Sequence, residues 1–332
     1  MATSVKSAFE EFMQNFVRLD AGVTSNAKAS RNSLKAQLDR LSSNGTLPNA
    51  YAEKHIDFGS FARKTKIREI DDIDLMHCMS AMLCTYFQYE DKSVDIYINN
   101  DDNPFLEFCN DGTKLVNSTK ILNNFKSNLS SIPHYSRSEI HRTGESVSLT
   151  LSSYGWTFDI VPCFFTRQNV YGVSYYIIPD GAGRWKMTDP RKDKDRVSTI
   201  NTNRSGKVLD AIRILKYWNR RKRIETLSSY LVENLVLNYF SEHSESSYID
   251  IDVAMILDYI SRAIYSPVED PKGIQGDLNR TGINSRVAIS KAAAADHKTA
   301  IEAICQKIKE KDHKEAISTW RTIFGDDFPK WG

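Results

Sequence analysis

Two aspartates set two residues apart carry the strongest chemical signal in this 332-residue chain. They close the segment His55-Ile-Asp-Phe-Gly-Ser-Phe, the basic Arg63-Lys-Thr-Lys, and Ile70-Asp-Asp-Ile-Asp-Leu. This reads as a strand, a Gly-Ser turn, a basic linker and a second strand. Side chains alternate along a strand, so Asp72 and Asp74 share one face while Ile73 points into the core. Two carboxylates on one face suit Mg²⁺, which takes a few carboxylate oxygens and fills its other octahedral positions with water and nucleotide phosphates. Asp159 lies inside the otherwise apolar Trp156-Thr-Phe-Asp-Ile-Val-Pro. An unpartnered buried Asp is costly, and on a neighbouring strand this one would complete a two-metal site. Taken alone, Asp72 and Asp74 read equally well as an acidic pair at a strand end; Gly59-Ser60 upstream and Asp159 downstream weigh against that.

The elements that must position these residues follow from periodicity. Residues 4–19 place Val5, Phe9, Phe12, Met13, Phe16 and Val17 on one helical face, and a second helix over 27–41 carries Leu34, Leu38 and Leu41. Short segments of β character follow at 55–58, 72–76, 147–151, 156–164 and 173–178, with a helical insertion near 114–129. Helices are expected near 204–223, 228–241, 250–264, 286–310 and 312–322, with a Gly- and Pro-rich loop over 266–285 that is long enough to be functional or mobile. The predicted fold class is α+β. Residues 1–200 form a mixed-sheet core that includes the N-terminal helices, and residues 201–332 form a helical lobe.

Composition narrows the partners. Forty-four Lys+Arg against 42 Asp+Glu leave a formal charge of +2, so any basic surface is local and a histone-like wrapper is excluded. No apolar run approaches the roughly 18 residues that span a bilayer, and the start MATSVKSAFEEF lacks the apolar region of a signal peptide. A cytoplasmic, membrane-free protein is expected, with a monomer as the default state. Five scattered cysteines without a CxxC pair argue against a disulfide framework and against zinc. His77-Cys78 with Cys84 is the local cluster to weigh for metal; spacing favours core packing.

The Gly59-Ser60, Asp72-x-Asp74 and Asp159 arrangement resembles the polymerase β-like nucleotidyltransferase superfamily. Downstream, Ile212-Arg-Ile-Leu-Lys-Tyr-Trp-Asn and Leu227-Ser-Ser-Tyr-Leu-Val-Glu resemble the nucleotide clamp of the cGAS/DncV-like nucleotidyltransferases, the CD-NTases. Tyr176-Ile-Ile-Pro-Asp-Gly-Ala-Gly-Arg-Trp and Trp320-Arg-Thr-Ile-Phe-Gly-Asp-Asp-Phe-Pro resemble segments of bacterial CD-NTases in antiviral signalling operons, so the resemblance spans nearly the whole chain.

This resemblance implies a polymerase β-like core and a helical lobe in a bilobal fold with the active site in the cleft. It implies Asp72, Asp74 and Asp159 as catalytic ligands of two Mg²⁺ ions, with Mn²⁺ able to substitute. Gly59 and Ser60 would approach the donor triphosphate, Lys216 and Ser229 would contact phosphates, and Tyr230 would stack on a base. By residue type alone, Lys216 reads as a solvated Lys, Ser228-Ser229 as an N-cap, and Tyr230 as a core residue. The implied activity is synthesis of a cyclic di- or trinucleotide second messenger from NTPs, ATP among them, in bacterial antiviral defence. The alternatives are a linear oligonucleotide synthase or RNA 3′-end nucleotidyltransferase, and a catalytically idle nucleotide- or RNA-sensing module. Partners would be an operon-encoded regulatory or conjugating protein and an effector that binds the product. Gly332 could serve conjugation or be an ordinary frayed end. Nothing resembles the zinc thumb with which cGAS grips DNA, so no obligatory DNA activator is expected. The basic cluster Asn219-Arg-Arg-Lys-Arg223 reads as a charged helix end rather than a nucleic-acid contact.

Overall fold

The computed structural model describes residues 2–221 and 226–332. It contains two compact units, one of Ala21–Ala62 and Ile70–Asp193, the other of Met1–Asp20, Arg63–Glu69 and Lys194–Gly332.

The first unit is built on a nine-stranded sheet. Its strands are β1 (Ile56–Phe58), β2 (Asp72–Cys78), β3 (Thr85–Gln88), β4 (Ser93–Tyr97), β5 (Glu139–Thr143), β6 (Ser146–Thr150), β7 (Thr157–Phe165), β8 (Tyr176–Pro179) and β9 (Trp185–Thr188). The order is β1-β2-β7-β8-β9-β4-β3, with β6 also pairing β7 and β5 pairing β6. β2 and β7 run parallel; the other pairs are antiparallel. Helices α2 (Ala21–Ser43), α3 (Gly59–Ala62) and α4 (Ser118–Ser130) belong here. Asn117 caps α4 by accepting the Thr119 and Lys120 N–H groups at 2.8 and 3.3 Å, and the helix buries Ile121, Leu122, Phe125 and Leu129 on one face. The segment from Tyr176 to Trp185 is the β8–β9 hairpin. Asp180 shapes its turn by accepting the Ala182 and Arg184 N–H groups, and Trp185 is fully buried. β3, β4, β5 and β9 were not foreseen: they are four or five residues long, and β3 is exposed throughout, which leaves no alternation to detect.

The second unit is helical: α1 (Val5–Phe12) with a π-helical turn over Met13–Val17, then α6 (Val208–Arg221), α7 (Ser229–Glu242), α8 (Ile249–Ala263), α9 (Ile283–Cys305) and α10 (His313–Phe324), with α5 (Pro190–Asn203) leading in. The expected division at residue 200 put both N-terminal helices with the sheet; α2 lies there, but α1 belongs to the helical unit. The reason is aromatic packing. Phe9 lies 5.0 Å from Trp320 and 5.1 Å from Phe328, and Phe12 lies 4.9 Å from Tyr217, all at edge-on angles. Phe16, expected on that face, is turned out by the π turn and is exposed. The close of the chain therefore supplies core: Trp320, Phe324 and Phe328 are fully buried. Gly325 at φ +73° lets Arg221 pass, since a Cβ there would stand 1.6 Å from its Nη2. Beyond this core, the Gly332 N–H donates to the Ala2 carbonyl at 3.4 Å. Among the described residues, no helix is long and apolar enough to cross a membrane.

Candidate active site

Strand register gathers the carboxylates. In the parallel pair β2–β7, Asp74 stands opposite Asp159 and Asp72 opposite Thr157. Adjacent strands lie about 4.8 Å apart, so the two aspartates are neighbours on one face. Burial alternates as the chemistry requires: Asp72, Asp74 and Asp159 are half-buried, whereas Ile73, Phe158 and Ile160 are in the core. Across the sheet, Phe58, Asp74, Asp159 and Ser148 form one row. Ser148 Oγ donates to Asp159 Oδ1 at 2.6 Å and Ser146 Oγ donates to the same oxygen at 3.3 Å. These hydroxyls orient the carboxylate and were missed in the sequence, although Ser-x-Ser on a strand beside an Asp is a readable signal.

Gly59 fits this row by having no side chain. It adopts φ +71°, and a Cβ there would lie 1.7 Å from Asp74 Oδ2 and 2.5 Å from its Cγ. The Asp74 carboxylate thus packs on the bare Cα of the Gly-Ser turn. Ser60 follows, half-buried in the short helix α3. Three carboxylates on adjoining strands form an all-oxygen, hard donor set, and this fits Mg²⁺.

The clamp candidates lie in the helical unit. Lys216 on α6 is 4% exposed, and its Nζ donates to Glu233 Oε2 at 2.8 Å, to the Thr65 carbonyl at 3.1 Å and to Thr65 Oγ1 at 3.3 Å. Arg63 Nε also donates to Glu233 Oε1, at 2.6 Å, and the Thr65 hydroxyl donates to Glu233 Oε2 at 2.7 Å. Burial alone would raise the Glu233 carboxyl, but the charges of Lys216 and Arg63 outweigh it and hold it at about 2. Burial lowers the Lys216 ammonium, against the opposing pull of Glu233. The two partners thus point in different directions on the strength of the pair; Glu233 decides, since two cations and a hydroxyl satisfy its anion. Sequence reasoning missed Glu233, Arg63 and Thr65. The available signal was an acid inside the apolar Leu231-Val-Glu-Asn-Leu.

Ser229 is exposed at the first position of α7, where Ser228 is the cap, its Oγ accepting the Leu231 N–H at 3.2 Å. Tyr230 beside it is half-buried and polar-anchored. Its hydroxyl accepts from Lys272 Nζ at 2.6 Å and donates to Asp270 Oδ1 at 3.3 Å; the Lys272 ammonium and the Arg63 guanidinium lie 4.4 and 5.6 Å from its ring centroid. The 266–285 loop is built around this anchor. Asp270, buried, also accepts the Ile274 and Gln275 N–H groups. In the basic helix end, Asn219 exchanges hydrogen bonds with the Leu227 backbone, while Arg220 and Arg221 donate to the Arg68 and Ile323 carbonyls. Lys222 and Arg223 lie outside the described residues.

The cysteines are free; Cys78, Cys109 and Cys163 are buried. Asp39, His55 and His77 place possible ligand atoms within 4.8 Å of one another. Several of those atoms already have hydrogen-bond partners. His55 accepts the Cys78 N–H on Nδ1 and donates from Nε2 to Asp39, while His77 Nε2 meets Ser42 Oγ at 3.1 Å. Burial pushes His77 down to about 3 and also lowers His55, so the rings, stacked at 4.3 Å, are neutral. Of the three, only His77 is buried, and the cluster is a hydrogen-bonded network at the edge of the core.

No protein-family model matches the chain. A protein of Bacillus cereus (strain VD146), named a probable cyclic nucleotide synthase, is 42% identical over 331 residues, 99% of each chain. Among solved structures, CdnC of E. coli MS115-1 with ATP superposes with a TM-score of 0.69 at 15% identity, and CdnC in its HORMA-deltaN complex with 0.70 at 16%, each over 98% of both chains. The DncV cyclic AMP-GMP synthase of Vibrio cholerae gives 0.69 at 10% identity over 99% of this chain and 98% of its own. At such identities these structures establish the fold. The full-length likeness to the Bacillus protein decides the family, and the chain belongs to the cGAS/DncV-like nucleotidyltransferases, the CD-NTases.

Proposed function

We propose that this enzyme joins NTPs, ATP among them, into a cyclic di- or trinucleotide with release of pyrophosphate, as a second messenger in antiviral defence. The observation that carries the reading is the row in which Asp74 faces Asp159, with Asp72 one pleat away and Gly59 bare against Asp74. Asp72, Asp74 and Asp159 would hold two Mg²⁺ ions, Mn²⁺ substituting. Such ions, when bound, lower the pKa of an acceptor ribose hydroxyl and offset charge on departing pyrophosphate.

The chain's own groups do the rest by position. Ser148 and Ser146 fix Asp159, so its carboxylate needs no reorganisation when charge develops nearby. The Gly59-Ser60 turn offers backbone and a hydroxyl to the triphosphate, with no side chain on Gly59 in the way. Lys216 and Ser229 are the phosphate-binding candidates of the helical unit, and Tyr230 the base platform. A regulatory protein partner and a product-binding effector complete the proposal; among the structural neighbours, CdnC is seen in a complex with HORMA-deltaN.

The test is incubation of the purified chain with all four labelled NTPs in Mg²⁺ or Mn²⁺, then phosphatase treatment and chromatography with mass spectrometry. A phosphatase-resistant species of cyclic mass, lost in EDTA and in Asp72→Asn/Asp74→Asn with the fold intact, supports the reading. Solely linear products, or synthesis retained in the double variant, refute it.

A further inference from the structure

A cavity in the sheet unit lies at the opposite end of the strands from the carboxylates. It has a volume of about 620 Å³, within the range of small-molecule sites, and is lined by Tyr51, Lys54, Met79–Leu83, Phe165–Gln168, Ser174 and Arg191. Met79 lies five residues beyond Asp74 and Phe165 six beyond Asp159, about 16 and 20 Å at the rise of a strand. The lining holds three cations and no carboxylate.

Among the described residues, two of these cations have no anion to answer them. Lys54 Nζ stands 4.8 Å over the Phe165 ring and 5.9 Å over Tyr51, and neither it nor Arg167 has a carboxylate partner among the described residues. Arg191 is the oriented one. It is gripped by Asp189 at 2.7 and 2.9 Å and by the Ser174 carbonyl at 2.6 Å, with its guanidinium 5.1 Å from the Phe165 centroid. Phe165 is thus flanked by Lys54 and Arg191. Beside this cationic floor the wall is apolar and solvent-facing: Met82 is 38% exposed, Leu83 76% and Tyr51 40%. A cationic floor with an apolar and aromatic wall matches a ligand that carries phosphate at one end and a flat base at the other.

We infer that this pocket binds a nucleoside phosphate at a site separate from the catalytic carboxylates. Lys54 and Arg167 meet the phosphate, and Tyr51, Met82 and Leu83 cover the base. The inference rests on these residues and not on the catalytic reading; an idle chain that bound nucleotide here would leave it standing.

The test is equilibrium binding of labelled ATP and of labelled 3′,3′-cyclic di-AMP to the full chain in EDTA. Wild type is compared with Lys54→Ala/Arg167→Ala, with the stem-preserving Lys54→Met/Arg167→Gln, and with Asp72→Asn/Asp74→Asn. One class of site should survive in the aspartate variant and weaken by roughly tenfold or more in both cation variants, as expected for loss of charge-assisted hydrogen bonds. Photolabelling with 8-azido-ATP should mark peptides containing Tyr51 or Met82. Preference for ATP would identify substrate as the occupant, preference for the cyclic probe the product. Unchanged binding in both cation variants overturns the inference, as does equal occupancy by inorganic pyrophosphate, which has no base to cover.

Discussion

Replacing Gly59 by alanine adds one methyl group, and the structure says where it goes. At φ +71° a Cβ would stand 1.7 Å from Asp74 Oδ2, 2.5 Å from Cγ and 3.1 Å from Cβ, so the clash is with the whole carboxyl rather than a flexible tip. An ordinary contact begins near 3.4 Å, so the oxygen must retreat by about 1.7 Å. Two penalties follow. A left-handed backbone carries about 1–2 kcal/mol for a residue with a side chain, and overpacking adds about 1–3 kcal/mol. Gly45→Ala separates them, because Gly45 sits at φ +75° with nothing within 4 Å of its Cβ and so carries only the first. Displacing a reacting group by about 1 Å can lower the rate about a hundredfold. Gly59→Ala should therefore lose at least that in phosphatase-resistant product while melting a few degrees below wild type; Gly45→Ala should share part of the melting shift and keep its activity. Near-wild-type synthesis by a folded Gly59→Ala enzyme would mean that Asp74 does not act from where it stands, and the carboxylate row would lose its role.

Ser148→Ala removes the 2.6 Å hydrogen bond to Asp159 and leaves the 3.3 Å one from Ser146, so turnover at saturating NTP should fall roughly tenfold with little change in melting. Glu233→Gln leaves the buried Lys216 without its anion and removes a carboxylate from Arg63, which should destabilise the helical unit by about 3–5 kcal/mol in urea unfolding. Glu233 is held at about 2 against an ordinary 4.5, so its contribution is full above 4.5 and is lost as pH falls toward 2; the variant should lack that acid limb. Asp252 is the converse case. Burial pushes it up to about 6, its Oδ2 has no hydrogen-bond partner, and Oδ1 accepts the Ser246 N–H at 2.7 Å. A raised carboxyl favours the fold below its ordinary 3.8 and loses that contribution as pH rises through 6. Asp252→Asn should therefore gain about 1–2 kcal/mol at pH 7 and flatten stability between pH 4 and 7, read by urea unfolding across that range.

Local pattern revealed the chemistry where one strand or helix carries its own signal. Ile73 between two aspartates and Asp159 among Phe158, Ile160 and Val161 declare their faces by alternation, so β2 and β7 were legible, and their parallel pairing set the three carboxylates on one sheet face. Partners distant in sequence were not legible. The period of α1 marks Phe9 and Phe12 as buried but not against what, and only the fold reveals Trp320 and Phe328. Lys216 is the sharper case. On an amphipathic helix it reads as a solvated Lys and the family resemblance implies a phosphate contact, yet the three acceptors around its ammonium, Glu233 Oε2, Thr65 Oγ1 and the Thr65 carbonyl, match its three protons. A direct phosphate contact must displace one of them. Under the proposed phosphate-binding role, Glu233 would therefore set how readily the Lys216 ammonium can be offered to a phosphate.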